Sequence, residues 1–481
     1  MKKIVISKLF LYRHRFVIGY VVLGLAFVGL LIGLPLISQN GLTAAEMESA
    51  SNSFALSVDA PLHGDLVDLP YRVLQKLSIM VFGLTPYAIK LPSIIFGILL
   101  GVLLILLLNR WFKNNVSLLA SALVVLSTPF LFLAGNGTPL IMVVFWPTLL
   151  LWLGSKIQGE KRPKPIYSFL FAASLLLAVF TPYMGYFALF CVIFVLVQPH
   201  LRFVVKSLPK IPLTFTLLFA IAGLVALGLN MVNHPDTIME LLFAKDYDFG
   251  SFFPNIASGL SPVLSWRDTP TSVFLSPLLG LPMLALAAIG LLSTTKGFFA
   301  SRNSIASVLL VFTFIITGFN PLAVVFFILP FAILTAHGIK YLLEKWYGLF
   351  PENPYARVAG VLPLILLFGV IIVPSLIQYV YGYRYNPTVV SQFSYDLPKV
   401  SANATEGALV VGEEYDFYKI MNGRNGLQVV REIGDISGEP AMVSILHEKA
   451  SPGAKYQLSR IITSHLKEKS DIIYIYTVKG E

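Results

Sequence analysis

Apolar residues in this chain come in blocks of roughly 20, not in the alternating or 3.6-residue patterns of soluble elements. The blocks lie at about 16–38, 91–109, 116–134, 138–155, 166–181, 183–198, 212–231, 273–293, 304–319, 321–338 and 358–379. A helix rises 1.5 Å per residue, so each block can cross a hydrocarbon core. The pattern predicts an α-helical polytopic membrane protein with about 11 transmembrane helices. Polar mass collects in three places: 39–90, 232–272 and 380–481. The expected organisation is therefore a transmembrane domain, 1–379, with outer loops 39–90 and 232–272, followed by a small α/β domain, 380–481. In that tail 407–414, 427–432, 441–446 and 471–478 read as strands, and 456–468 reads as an amphipathic helix.

Composition agrees. Of 481 residues 56% are hydrophobic and 12% charged, about half the charged fraction of a soluble domain. The net charge of +10 might point to nucleic acid, but its distribution does not. Before residue 380 one set of alternate loops holds only Arg72, Lys76, Lys90, Lys245 and Arg267, while the other set carries most of the Lys and Arg. This is the positive-inside pattern. It places the N-terminus in the cytoplasm and the C-terminal domain outside it, in a multi-pass protein of the cell membrane. Nucleic acid is not an expected partner; the bilayer is. The first apolar block is too long for a cleaved signal peptide and reads as a first span. The one cysteine, Cys191, excludes an internal disulfide.

Acids sort as sharply as bases. The outer loops hold Glu46, Glu48, Asp59, Asp65, Asp68, Asp236, Glu240, Asp246, Asp248 and Asp268, and no acid falls within a span. A proton-coupled transporter usually needs ionisable groups at membrane depth, so chemistry or binding at the outer face fits better. No Gly-rich phosphate loop of the GxxxxGK[ST] kind is present.

In the first outer loop "LTAAEMESASNSFALS" has helical spacing, and Thr43 with Glu46 fits a capping box. Glu46, Ser49, Ser53 and Ser57 form a polar row that predicts a face toward a cavity. Glu46 and Glu48 lie about 200° apart on that helix and cannot act as a carboxylate pair. A second amphipathic helix is expected over about 70–82, with Arg72 and Lys76 one turn apart and able either to hold an anionic group such as a phosphate or to anchor at lipid head groups. Asp59, His63 and Asp65 form a candidate site for a divalent metal such as Mg or Mn; such a cluster is also an ordinary solvated loop. Trp266 and Arg267, in "LSWRDTP", suit either sugar and phosphate contact or an interface anchor.

The outer helix with an acid, Pro70-Tyr71, Phe82-Gly83, Lys90-Leu91-Pro92-Ser93, a long span ending Arg110-Trp111-Phe112, and "LSTPFLFLAGNGTP" (126–139) follow in order. This order resembles the GT-C membrane glycosyltransferases, in particular the group of protein O-mannosyltransferases, lipid A aminoarabinose transferase and the RgtA/B/C/D-like enzymes. The resemblance implies transfer of a sugar, with inversion, from a polyprenyl-phosphate carrier to an extracytoplasmic glycan, lipid or protein. In that group an Asp-Glu pair opens the first outer loop and the Asp is the general base. Here Ala45 falls at the Asp and Glu46 at the Glu. The Arg and acid of the later turn fall near Asn136 and Leu140. Either Glu46 serves as base, helped by Asp59, Asp65 or Asp68, or activity has been lost. The catalytic candidates are thus Glu46 and Asp68; the substrate-binding candidates are Tyr71, Arg72, Lys76, Trp266 and Arg267. The rival readings are an inactive lipid-binding or accessory descendant of such an enzyme, a lipid-carrier transporter and a structural membrane protein.

Overall fold

The computed structural model describes residues 13–37, 41–56, 66–159, 165–207, 210–233, 235–243, 249–264, 279–295, 300–349, 359, 361–404, 406–423, 426–437, 440–446, 455–463 and 472–479. The first apolar block folds as one helix, α1 (Arg15–Ile37). Two short helices follow, α2 (Ala44–Phe54) and α3 (Leu69–Phe82). Next comes the long α4 (Pro86–Trp111), then α5 (Asn114–Val125), α6 (Thr128–Gly135) and α7 (Met142–Gly159). α8 (Pro165–Ala178), α9 (Met184–Val197), α10 (Lys210–Asn233), α11 (Leu281–Thr295), α12 (Ser301–Phe319), α13 (Ile328–Leu349) and α14 (Val361–Tyr385) make up the rest of the bundle.

Among the described residues five helical segments are long and apolar enough to cross a membrane: Arg15–Gly33, Pro86–Trp111, Pro139–Gln158, Pro321–Leu349 and Ile365–Gly382. The pair α5–α6 makes a sixth if its 61° bend lies within one span. The break sits at Ser127, with Pro129 in the first turn of α6, where a missing amide hydrogen costs nothing. Five more apolar helices are shorter, at 10–17 residues. α1 buries only 17% of its most apolar window and exposes Val17, Val21, Val22 and Leu25, whereas α13 with its preceding turn buries 94%. The first suits a lipid-facing helix and the second a bundle centre.

α11 and α13 cross on glycine. A Cβ on Gly290 would strike the Leu334 carbonyl oxygen, and one on Gly338 would strike that of Leu286. Backbone cannot step aside as a side chain can. Gly338→Ala should therefore cost about 1–3 kcal/mol and lower the unfolding temperature of the detergent-purified protein. Gly154→Ala, with nothing within 4 Å of the new methyl, should not.

The tail forms a mixed five-stranded sheet of β1 (Ala408–Val410), β2 (Gln428–Val430), β3 (Met442–Ser444), β4 (Tyr456–Thr463) and β5 (Ile472–Val478), in the order β2-β1-β3-β5-β4. β1 runs parallel to β2 and β3, and β5 runs antiparallel to β3 and β4. One expectation fails here: 456–463 is a strand, not a helix. Its register against β5 runs from Tyr456↔Val478 to Thr463↔Ile472. The β-branched Ile461-Ile462-Thr463 end suits that pairing.

The sheet shares its core with the first outer loop. Leu42, Ala50, Ile79, Leu84 and Ile89 pack in one cluster with Val400, Leu409, Phe417 and Val443. Leu42 and Ser394 exchange backbone hydrogen bonds at 2.8 and 2.7 Å. Gly41 is needed for this close approach, because any Cβ would strike Phe393 and Tyr395.

Candidate active site

α2 begins on the capping box read from the sequence. Thr43 Oγ1 accepts from the Glu46 amide at 3.2 Å, and the Thr43 amide donates to Glu46 Oε2 at 2.8 Å. The same carboxylate reaches much further along the chain. Its Oε1 accepts from the Gly137 amide at 2.6 Å and lies 3.5 Å from Lys90 Nζ. Glu46 is 0% exposed and Lys90 5%. Lys90 also donates to the Gly41 carbonyl at 2.8 Å and sits 5.5 Å from the Phe393 ring centre. Both Glu46 oxygens are thus committed to groups of the protein. Ala45, at the resemblance's base position, is exposed, as is Glu48.

The polar row of α2 meets a residue that sequence reasoning missed. Ser49 and Ser53 donate to Gln75 Oε1 at 2.9 and 2.7 Å, and Gln75 Nε2 donates to the Ile89 and Gly137 carbonyls, both at 3.0 Å. Gln75 is fully buried with all of its hydrogen-bonding capacity used. The row therefore faces a neighbouring helix and not an open cavity. Ser57 lies outside the described residues.

α3 has two contrasting faces. Tyr71, Gln75, Ser78 and Ile79 are buried, whereas Val73, Leu77, Met80, Val81 and Phe82 are exposed, as in a helix lying at a membrane surface. The Tyr71 hydroxyl shares a hydrogen bond with Ser93 Oγ at 2.7 Å, and Ser93 Oγ donates to the Thr138 carbonyl at 3.2 Å. Burial pushes the Tyr71 phenol above its ordinary range, and the nearby Glu46 and Asp68 charges push the same way, against the Ser93 bond. It stays neutral. Lys76 places its ammonium on the Phe54 carbonyl at 3.2 Å and on the Leu56 carbonyl, capping the C-terminal end of α2. Arg72 is half-buried one turn after Asp68.

Asp68 precedes α3 with φ 55° and ψ 28°, a left-handed conformation unusual for a residue with a side chain. It is 7% exposed. Its amide donates to the Phe180 carbonyl at 2.7 Å, tying the first outer loop to the α8–α9 turn. That turn holds Tyr183 at φ 67°. Among the described residues these two are the only non-glycines with positive φ, and the Asp68 charge acts directly on the Tyr183 phenol. Tyr183 donates its amide to the Leu241 carbonyl at 2.9 Å and hydrogen-bonds the Asn320 side chain. Three separate stretches, around 68, 183 and 241, converge on one buried point. No sequence signal marked Tyr183. Backbone strain of this kind costs about 1–3 kcal/mol per residue and clusters at functional sites.

Asn136, in the turn that Glu46 holds, is 7% exposed, and its Oδ1 is buried without a hydrogen-bond partner. Leu140 is half-buried. Trp266 and Arg267 lie outside the described residues, as do Asp59, His63 and Asp65. Among the described residues no three His, Cys, Asp or Glu side chains gather as a metal-ligand group.

No family model and no curated protein matches the sequence. Solved structures do match in shape. The crystal structure of ArnT from Cupriavidus metallidurans bound to undecaprenyl phosphate superposes with a TM-score of 0.56 at 12% identity, over 97% of this chain and 99% of that one. The Archaeoglobus fulgidus oligosaccharyltransferase, tethered to an acceptor peptide containing the NVT sequon, gives 0.54 at 14% identity, over 87% of this chain. The match spans 64% of that larger enzyme. The same oligosaccharyltransferase in complex with Zn and sulfate gives 0.53. Both neighbours are GT-C membrane glycosyltransferases that use lipid-linked sugars. The order of short helices, bundle and terminal domain therefore has its explanation: this chain shares the fold of ArnT and of the archaeal oligosaccharyltransferase.

Proposed function

We propose that the protein transfers a sugar, with inversion, from a polyprenyl-phosphate carrier to a glycan, lipid or protein acceptor, at the membrane face that bears the C-terminal domain. One observation carries this reading. Asp68, the buried acid of α3, is held in a left-handed turn against the equally strained Tyr183, where the first outer loop, the α8–α9 turn and the second outer loop meet. The end-to-end likeness to ArnT, an enzyme crystallised with undecaprenyl phosphate, supports the carrier.

In the proposed step Asp68 takes the proton of the acceptor hydroxyl as its oxygen attacks the anomeric carbon. The new C–O bond forms as the bond from that carbon to the phosphate oxygen breaks. The polyprenyl phosphate leaves with the electron pair, and the inverted sugar stays on the acceptor. Arg72, one turn along α3, is assigned to the departing phosphate, with Arg267 and Trp266 as further contacts to phosphate and sugar. Tyr71 holds the α3–α4 packing beneath the site. Lys76, whose ammonium sits on α2 carbonyls, would have to exchange them for a phosphate oxygen to bind one. Glu46 is assigned to holding the Gly137 turn, and thereby Asn136, in register; its two oxygens have no lone pair facing a substrate. No step is routed through a metal. The proposal keeps about 11 spans, a cytoplasmic N-terminus and an outer C-terminal domain beginning near residue 380.

A second reading is favoured by one fact, the exposed Ala45 at the base position of the related group. On that reading the chain binds carrier lipid without transferring sugar. Turnover separates the two. Purified protein in nanodiscs, given radiolabelled polyprenyl-phosphate sugars and a membrane extract as acceptor, should release labelled product. Carrier binding with no transfer from any donor sugar would support the lipid-binding reading instead.

A further inference from the structure

A polar cavity lies far from the candidate active site. α4 starts at the site and runs from Lys90 to its C-cap Phe112, a rise of about 33 Å. At that far end the Phe112 ring meets His337 edge-on, with centroids 4.8 Å apart. His337 belongs to α13 and lines a cavity of about 640 Å³ together with Ser293, Asn303, Lys340, Tyr341 and Lys345. The cavity opens just past the glycine crossing of α11 and α13, between the end of α11, the start of α12 and the last turns of α13.

We propose that this cavity is a phosphate-binding site, distinct from the transfer site and at the opposite end of the bundle. Its lining carries two ammonium groups against one acid, Glu344. Glu344 is not a competing anchor of any strength: its Oε1 is 3.8 Å from Lys340 Nζ, and its side chain is 63% exposed, so the pair is worth little in water. Lys345 stands 5.7 Å from the Tyr341 ring centre on the same helix. Tyr341 and Asn303 add neutral polar residues to the lining, while the Ser293 hydroxyl donates to the Gly290 carbonyl at 2.8 Å. Lys340 and Tyr341 are half-buried along the recess, whose lining includes the 4%-exposed His337, and Lys345 is exposed at its edge. The mouth is apolar on one side, where Leu349 is 69% exposed. That combination suits a phosphate carried on an acyl chain, such as an anionic lipid headgroup. A soluble phosphate would use the same polar groups.

The test uses the full chain in neutral detergent. Its thermal unfolding is followed while dioleoylphosphatidylglycerol, dioleoylphosphatidylcholine or inorganic phosphate is added. Phosphatidylglycerol should raise the unfolding temperature saturably, more than phosphatidylcholine does. Its apparent affinity should fall about tenfold in Lys340→Gln/Lys345→Gln, as expected for losing charge-assisted contacts. Lys113→Gln, an exposed lysine at the same end, should leave it unchanged. Ser293→Leu fills the cavity without altering charge and should also weaken binding, which covers the case of a double variant that folds poorly. A response to inorganic phosphate with the same lysine dependence, and none particular to phosphatidylglycerol, would identify a soluble ligand in the same site. Equal binding by wild type and the double variant, or an equal loss in Lys113→Gln, would overturn the proposal.

Discussion

Asp68→Asn should lower transfer by about 10²–10⁴-fold, the usual contribution of a positioned base, while leaving polyprenyl-phosphate binding nearly unchanged. The substitution isolates proton transfer. Asparagine tolerates the left-handed backbone about as well as aspartate, so the turn at φ 55° and the amide bond to Phe180 should persist. The shape of the carboxyl is kept and only its capacity to take a proton is lost. Single-turnover rates with saturating carrier would show the effect in the chemical step, with the KM for donor little altered. A variant that turns over at the wild-type rate would remove Asp68 from the reaction. Asp68→Ala is a poorer probe, because it adds the strain of a left-handed alanine to the chemical loss.

The second large effect concerns stability. Glu46→Ala should cost about 3–5 kcal/mol, since it leaves the Lys90 charge buried with one carbonyl and an aromatic ring for company. It also strips the Gly137 and Thr43 amides of their acceptor. Lys90→Ala should cost about as much for the mirror-image reason. The double variant should cost clearly less than the sum, because neither charge is then left without its partner. Unfolding temperatures of the four proteins in one detergent would measure that coupling. Glu46→Gln discriminates roles: its amide oxygen can still accept from Gly137, so the fold should loosen less. If that variant unfolds with the wild type yet transfers nothing, Glu46 would be the base after all, and the assignment of Asp68 would fall.

What the sequence made legible was local or periodic. The capping box needs only Thr43 and Glu46, three residues apart, and it forms as read. α3 appears where its amphipathic pattern put it. Each apolar block overlaps a helix, because hydropathy alone decides which segments leave water. What stayed hidden was joined across distance. Gln75 is one polar residue on an amphipathic helix until Gly137, 62 positions on, accepts from it. Lys90 belonged to a motif of the resemblance, but nothing in its neighbours said that Glu46, across an intervening loop, would share its burial. Tyr183 looked like one more aromatic in an apolar run, and its backbone conformation is dictated by Leu241 and the loop of Asp68. The error over 456–468 has the same origin. The residues could sit on a helix, but antiparallel pairing with β5 offered every other backbone group a partner.

The pairing of Leu42 with Ser394 has a consequence for how the molecule comes into being. A ribosome delivers the first outer loop well before the C-terminal domain. Leu42 and Ala50 therefore wait, uncovered, through the insertion of the whole bundle before their apolar partners arrive. The helix bearing Glu46 acquires its final backing only after the bundle has been made. A chain halted near residue 380 would carry every side chain proposed for the reaction and still lack the surface that backs them. Synthesis itself thus delays the appearance of a finished site.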